Sequence, residues 1–247
     1  MFHIFSKKIF LADYLEGLID IHNHILPGID DGAKTVKESI ALIKGFSNIG
    51  VEHFIATPHI MDNYYPNTPH TINEALAILK NEIVKESLRF ISVEASAEHM
   101  IDSNFEKILN TNSIMPLHKD YILVEMSYLQ ASINFEEAIL KIAKNRLYPI
   151  LAHPERYMYL KNTNKYGIYR NQGVLFQLNL LSLGEYYGRD VQKNAIKLLH
   201  KGQIDFVGSD VHHMQQLKAL KEITISKKTL QQILPVIKYT IKTFGVN

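Results

Sequence analysis

Short apolar runs and helical stripes alternate along this chain. Leu18-Ile19-Asp20-Ile21 is such a run, and after it Ala41, Leu42, Phe46 and Ile49 give an apolar face to a helix over residues 34–48. His53-Phe54-Ile55-Ala56 repeats the run, and Ile72, Leu76, Leu79 and Ile83 then recur at helical spacing over 71–86. Residues 89–95 and 121–125 predict the third and fourth strands, and 135–144 the helix after them. Three more strands are expected at 148–152, 173–178 and 204–208. A helix over 190–201 falls between the last two, and another over 226–243 closes the chain. Seven strands mostly followed by helices predict a parallel α/β architecture.

Periodicity alone does not separate an open sheet from a closed barrel. The turn after the first strand reads Asp20-Ile21-His22-Asn23-His24, where a nucleotide-binding sheet would carry a glycine-rich loop. Polar, metal-ligating residue types end the first, second, third, fourth, fifth and seventh strands. An open sheet gathers ligands only at its switch point, so this spread favours a distorted barrel. No linker or shift in composition divides residues 18–247, which are expected to form one domain behind an N-terminal extension over 1–17.

Composition narrows the chemistry. The chain has 247 residues, 46% of them hydrophobic, enough for one large core. A formal net charge of +2 and no basic stripe argue against a nucleic-acid surface. The absence of cysteine excludes disulfides, thiolate metal sites and cysteine nucleophiles, including the thiol route to phosphotyrosine hydrolysis. The apolar run Ile9-Phe10-Leu11-Ala12 is too short for a secretory signal, and nothing later reaches the roughly 20 apolar residues of a membrane span. A cytoplasmic location is the expectation.

Candidate ligands lie in five segments. His22 and His24 alternate on an extended chain and so point the same way. His59 follows Thr57-Pro58, His153 precedes Pro154-Glu155-Arg156, and Asp210 and His212 repeat the two-residue spacing. Asp31, Glu98 and Glu125 extend the set, although Glu94 competes with Glu98 on pattern. Histidine with carboxylate suits a hydrolytic Mn, Fe or Zn site. Singly, each histidine reads as a structural one; together, they read as a site. Arg156 offers a planar fork matched to phosphate oxygens, with Arg189 as the weaker choice. His3, His53, His70, His118 and His200 read as bystanders. Alternation turns His99 and His213 away from the site, and Tyr64, Tyr65, Tyr157, Tyr159, Tyr166, Tyr169, Tyr186 and Tyr187 are expected at its mouth.

Ile21-His22-Asn23-His24-Ile25-Leu26-Pro27-Gly28-Ile29-Asp30-Asp31-Gly32, Ala56-Thr57-Pro58-His59, Ala152-His153-Pro154-Glu155-Arg156-Tyr157 and Gly208-Ser209-Asp210-Val211-His212 together resemble the polymerase-and-histidinol-phosphatase superfamily of metal-dependent hydrolases. The nearer resemblance is to its bacterial protein-tyrosine-phosphatase branch, the CpsB/YwqE-like enzymes of capsule and exopolysaccharide loci. It runs from about residue 18 to 212. It implies a distorted (β/α)7 TIM-like barrel with two or three divalent ions, most often Mn2+, with Fe or Zn as alternatives. One ion would take His22, His24, Glu98 and Asp210; a second Glu98, Glu125 and His153; a third Asp31, His59 and His212. Arg156 would hold the phosphoryl group, and Asp31 or a coordinated water would supply the proton to the leaving group. The implied substrate is a phosphotyrosine protein, such as the tail of a bacterial tyrosine kinase. The implied chemistry is direct attack by a metal-activated hydroxide. His99 departs from the aromatic residue common in relatives. A histidinol-phosphatase-like small-molecule phosphomonoesterase and a silent metal-binding scaffold are the competing readings. Neither nucleic acid nor membrane is an expected partner, and an oligomer is compatible with the chain.

Overall fold

The computed structural model describes residues 8–111, 113–118 and 120–245; His3 and the first seven residues of the predicted extension lie outside them. Parallel strands build the centre. β1 is Ile9–Phe10, β2 Ile19–Asp20, β3 His53–Ala56, β4 His59–Ile60, β5 Ser92–Ala95 and β6 Glu98–Met100. β7 is Tyr121–Glu125, β8 Tyr148–Ala152, β9 Leu175–Asn179, β10 Phe206–Gly208 and β11 Thr224–Ile225. One sheet runs β2-β3-β5 and another β4-β6-β7-β8-β9-β10, every neighbouring pair parallel.

Two of the predicted strands are each followed, after a break, by a short second strand. Thr57-Pro58 separates β3 from β4, and Ser96-Ala97 separates β5 from β6. Pro58 has no N–H to give to a ladder, yet its carbonyl accepts from Glu98 N at 3.1 Å, while Ser96 N bonds Ala56 O at 2.8 Å. These bonds carry the sheet across both breaks. At the other edge Asp210 N reaches His22 O at 2.7 Å and His24 N reaches Val211 O at 3.0 Å, so the segments after β2 and β10 lie side by side. The result is one mixed α/β domain around a curled parallel sheet.

Helices cover the outside: α1 Val36–Ser47, α2 Pro69–Lys85, α3 Phe105–Asn110, α4 Phe135–Lys144, α5 Lys165–Asn171, α6 Arg189–His200, α7 Met214–Glu222 and α8 Lys227–Phe244. Their starts are chemically specified. Thr35 and Ser226 accept the N–H of Glu38 and Thr229, and Thr68 forms a reciprocal cap with Thr71 ahead of Pro69. α3, α5 and α7 lie where the apolar pattern predicted no helix. Alternate strand residues divide between two apolar clusters. Phe54, Ile122, Val124, Leu151, Phe176 and Val207 pack with the helices, whereas Ile55, Leu123, Ile150 and Phe206 pack with Ile19, Ile21 and Phe244. Burial on both faces explains why these strands read as continuous apolar runs.

Residues 8–17 belong to this fold. β1 pairs antiparallel with β11, Leu11 N donates to Ile223 O at 2.9 Å, and Leu11 and Leu15 are fully buried. Among the described residues no helix is long and apolar enough to cross a membrane.

Candidate metal centre

The carboxyl ends of the strands converge. His22 and His24 follow β2, His59 opens β4, Glu98 opens β6, Glu125 ends β7, His153 follows β8, and Asp210 and His212 follow β10. All are buried or nearly so except His212, which is partly exposed, and Asp31, which stands half-exposed at the mouth. His153 and Asp210 hold left-handed backbone, φ 35° and 52°, a conformation that costs about 1 kcal/mol or more and persists only where the surroundings impose it.

Three ligand groups form, with the donor atoms of each within 4.8 Å of one another: His22, His24, Glu98 and Asp210; His59, Glu98 and Glu125; and His24, Asp31, His59 and His212. The first is the set the resemblance implied. In the second, His59 joins Glu98 and Glu125. His153, expected there, brings Nε2 to 3.0 Å from Glu98 Oε1 and 3.2 Å from the Tyr128 hydroxyl. The third contains the expected three residues and adds His24.

Buried unpaired atoms test whether cations fit. His22 Nδ1 donates to Gln177 Oε1 at 2.7 Å and His24 Nδ1 to Asp30 Oδ2 at 2.8 Å, which leaves a lone pair on each Nε2. Both Nε2 atoms lack a hydrogen-bond partner although Asp210 Oδ1 is only 3.3–3.4 Å away and Glu98 Oε2 3.2–3.6 Å. His59 Nδ1 and Glu125 Oε1 face each other at 2.9 Å, also without a hydrogen bond. Lone pairs opposed to carboxylate oxygens in a water-poor interior are the arrangement a divalent ion satisfies, with the opposite nitrogens of His22 and His24 held by acceptors. The residues fit.

Without a cation, protons on the rings answer the same carboxylate charge. Burial alone would raise the carboxyls of Glu98 and Asp210, but the rings around them, His22 first, hold both well below the usual range. Burial pushes His212 down to about 4, helped by His24, whose own ring is carried up to about 10 against its burial by Asp30. The two rings stack with centroids 3.8 Å apart, so one charge excludes the other.

Arg156 sits beside the cluster. Its Nη1 donates to Asp210 Oδ2 at 2.6 Å, and its guanidinium lies 4.4 Å from the Tyr128 ring and 4.2 Å from the Tyr187 ring. Burial opposes its charge, but these rings and Asp210 keep it protonated. Asn179 Nδ2 donates to the same Asp210 oxygen at 2.8 Å and to Tyr187 at 3.3 Å. The cluster opens into a cavity of about 770 Å³ whose wall includes Tyr64, Tyr65, Tyr128 and Tyr187.

Other expectations resolve individually. Glu94 is exposed and outside the cluster, so Glu98 is the residue brought to it. Arg189 pairs with exposed Glu185 and is no part of the site. His99 is buried with Nδ1 on Leu123 O and Nε2 on Met115 N, a structural ring. His213 caps α7 through Gln216 N, though its side chain also borders the cavity. His53 and His70 are exposed, and His118 and His200 join none of the three groups. Of the tyrosines expected at the mouth, Tyr157, Tyr166 and Tyr169 are buried in the core. Sequence reasoning missed Asp20, which accepts from Ser209 N at 2.8 Å and Ser209 Oγ at 2.6 Å, and Asp30, Gln177, Asn179 and Tyr128. Gln177 and Asn179 did leave a signal, as alternate polar residues at the end of an apolar strand.

A curled parallel sheet with a thiolate-free histidine–carboxylate cluster at its strand ends defines an α/β protein with a candidate metal centre. A lactonase from Listeria monocytogenes shares this fold at TM-score 0.51 and 12% identity, over 94% of this chain and 93% of that one. The chain belongs to the CpsB/CapC family of capsular polysaccharide synthesis, whose model matches residues 18–232. It is 29% identical over 201 residues to the tyrosine-protein phosphatase YwqE of Bacillus subtilis, 80% of this chain and 78% of that protein. Against CpsB of Streptococcus pneumoniae, also named a tyrosine-protein phosphatase, it is 27% identical over 204 residues, 80% and 84% of the two chains. Crystal structures of YwqE and CpsB, described as unique metal-dependent tyrosine phosphatases, include a chain that matches at TM-score 0.77 and 25% identity. That match covers 93% of this chain and 96% of that one.

Proposed function

We propose that this chain is a metal-dependent protein-tyrosine phosphatase of capsule or exopolysaccharide synthesis. The observation that carries the reading is the set of buried, unpaired histidine and carboxylate atoms beside an arginine clamped between two tyrosines. Divalent ions, with manganese the first choice, would supply positive charge for the phosphoryl oxygens and lower the pKa of a coordinated water toward 7. His22, His24, Glu98 and Asp210 would hold one ion, Glu98 and Glu125 with His153 a second, and His59 and His212 with Asp31 at the mouth a third, since His24 has a single nitrogen lone pair to give. Arg156 keeps one N–H on Asp210 and turns the rest of its fork to the phosphoryl group. Asp210 and the flanking rings fix the plane of that fork before substrate arrives, so little orientation is lost on binding. The tyrosine-lined wall takes the aryl ring of the substrate. A phenol leaves with a pKa near 10, so proton donation to it is less demanding than for an alkyl ester.

The same reading extends outward. We take the bonds between residues 22–24 and 209–211 to close the curled sheet into a distorted (β/α)7 barrel. The substrate would be the phosphorylated tail of a bacterial tyrosine kinase, met in the cytoplasm.

Phosphate release from a phosphotyrosine peptide tests the proposal. Chelation should abolish it, Mn2+ should restore it, and thiol alkylation should leave it unchanged. Arg156→Ala should keep its metal and lose about 10²–10³ in turnover, the scale for one transition-state donor. Arg156→Lys should recover part of the loss, lacking the fork. Full activity after verified removal of metal would refute the reading. Turnover of small phosphomonoesters alone would shift it to a small-molecule phosphatase.

A further inference from the structure

A second cavity, of about 510 Å³, adjoins the first, and Ser132 lines both. Its apolar wall is Ile133, Phe135, Leu160 and Tyr169. The segment between the two cavities is pinned at both ends. Tyr159 donates its hydroxyl proton to Ser127 O at 2.9 Å, and Ser132 Oγ donates to Ile101 O at 2.8 Å. On this fixed ledge Leu129 is 91% exposed and Ile133 is fully exposed. Tyr64, 76% exposed, stands elsewhere on the mouth of the first cavity. Single exposed apolar residues are ordinary, but two on one pinned ledge, beside a hollow that mixes apolar residues with Glu136, Thr163 and Lys165, make a surface suited to a partner.

Charge narrows the partner. Lys165, the cation of the second cavity, is paired with Glu136 at 2.6 Å, so that cavity presents no free positive group for a second phosphate. An extended segment leaving the first cavity over Ser132 advances about 3.3 Å per residue and turns alternate side chains toward the surface. We propose that the ledge and second cavity form a docking subsite for an apolar side chain of the phosphoprotein segment, near its phosphotyrosine. This rests on the phosphotyrosine reading of the first cavity.

The test uses the full chain loaded with Mn2+ and phosphotyrosine peptides carrying leucine or serine at each of the four positions on either side. Free O-phosphotyrosine serves as the substrate with no flanks. Leucine at one position should raise kcat/KM about tenfold over serine, through KM, the scale of one apolar group entering a pocket. Ile133→Asp should erase that preference and leave turnover of free phosphotyrosine unchanged, whereas Ile133→Trp should retain it. Full exposure of Ile133 keeps both variants folded. Equal kcat/KM for all the leucine and serine peptides, or a leucine preference that survives Ile133→Asp, would overturn the subsite. Failure of the wild type on free phosphotyrosine and on every peptide would instead overturn the reading of the first cavity.

Discussion

Asp30 is the sharpest place to test the metal centre without touching a ligand. Its Oδ2 accepts from His24 Nδ1 at 2.8 Å and from His59 N at 3.3 Å, and its Oδ1 accepts from Gly32 N at 2.8 Å. The residue is buried, so no water can replace a lost bond. Asp30→Asn preserves shape but turns one oxygen into an NH2 that must face an N–H. Whichever way the amide lies, at least one bond is lost, and any bond kept to His24 no longer comes from a charged group, a loss worth about 1.5–3 kcal/mol. At about 1.4 kcal/mol per tenfold, that is roughly 10–100-fold in affinity, the range found when a carboxylate behind a metal-binding histidine is removed. Ion-free Asp30→Asn, titrated with Mn2+ against a competing indicator, should bind more weakly by that factor, while thermal melts of the ion-free proteins show both folded. Asp31→Asn should weaken binding by removing a direct ligand at the mouth instead. Wild-type Mn2+ affinity in folded Asp30→Asn would refute the account of how His24 is aimed.

Two further outcomes follow from the same geometry. A Cβ on Gly208 would lie 2.6 Å from His22 Cβ and 3.0 Å from Gln177 Nε2. Gly208→Ala should therefore push His22 off its position, lose metal stoichiometry and destabilise the fold by about 1–3 kcal/mol, read from metal content and Tm. Unchanged stoichiometry would count against it. His99 is held neutral, its pKa pushed down to about 4 by burial. As pH falls below about 6.5 the unfolded chain takes up a proton that the native ring refuses until near 4, so this contribution is present above 6.5 and is lost across that window. The stability advantage of wild type over His99→Gln should shrink by roughly 1.4 kcal/mol per pH unit there, read by denaturant melts of ion-free protein. A constant gap would contradict it.

The strands were legible because burial on both faces writes a continuous apolar run, and the ligands because each ends such a run. The breaks at Thr57-Pro58 and Ser96-Ala97 were not, since they depend on which carbonyl meets which N–H across the sheet. Glu94 and Glu98 share a face by simple alternation. The chain turns at Ser96-Ala97 between them and takes only Glu98 into the site. The approach of His59 to Glu125 reflects distances between strand ends, which spacing along the chain does not encode. Asp30 was overshadowed by Asp31 next to it, and Tyr128 carried no signal ahead of the fold.

The pairing of β1 with β11 has a consequence for how the protein is made. These strands come from opposite ends of the described chain, so no local stretch can form the pair. During synthesis Leu11 and Leu15 emerge first, yet the helix α7 that packs against residues 11–14 is made nearly last. The clasp therefore closes late, a contact of high sequence separation that adds loop entropy to the folding barrier. A clone begun at residue 18 would leave α7 and Ile223 without that cover. It would also loosen the helix that starts two residues beyond His212.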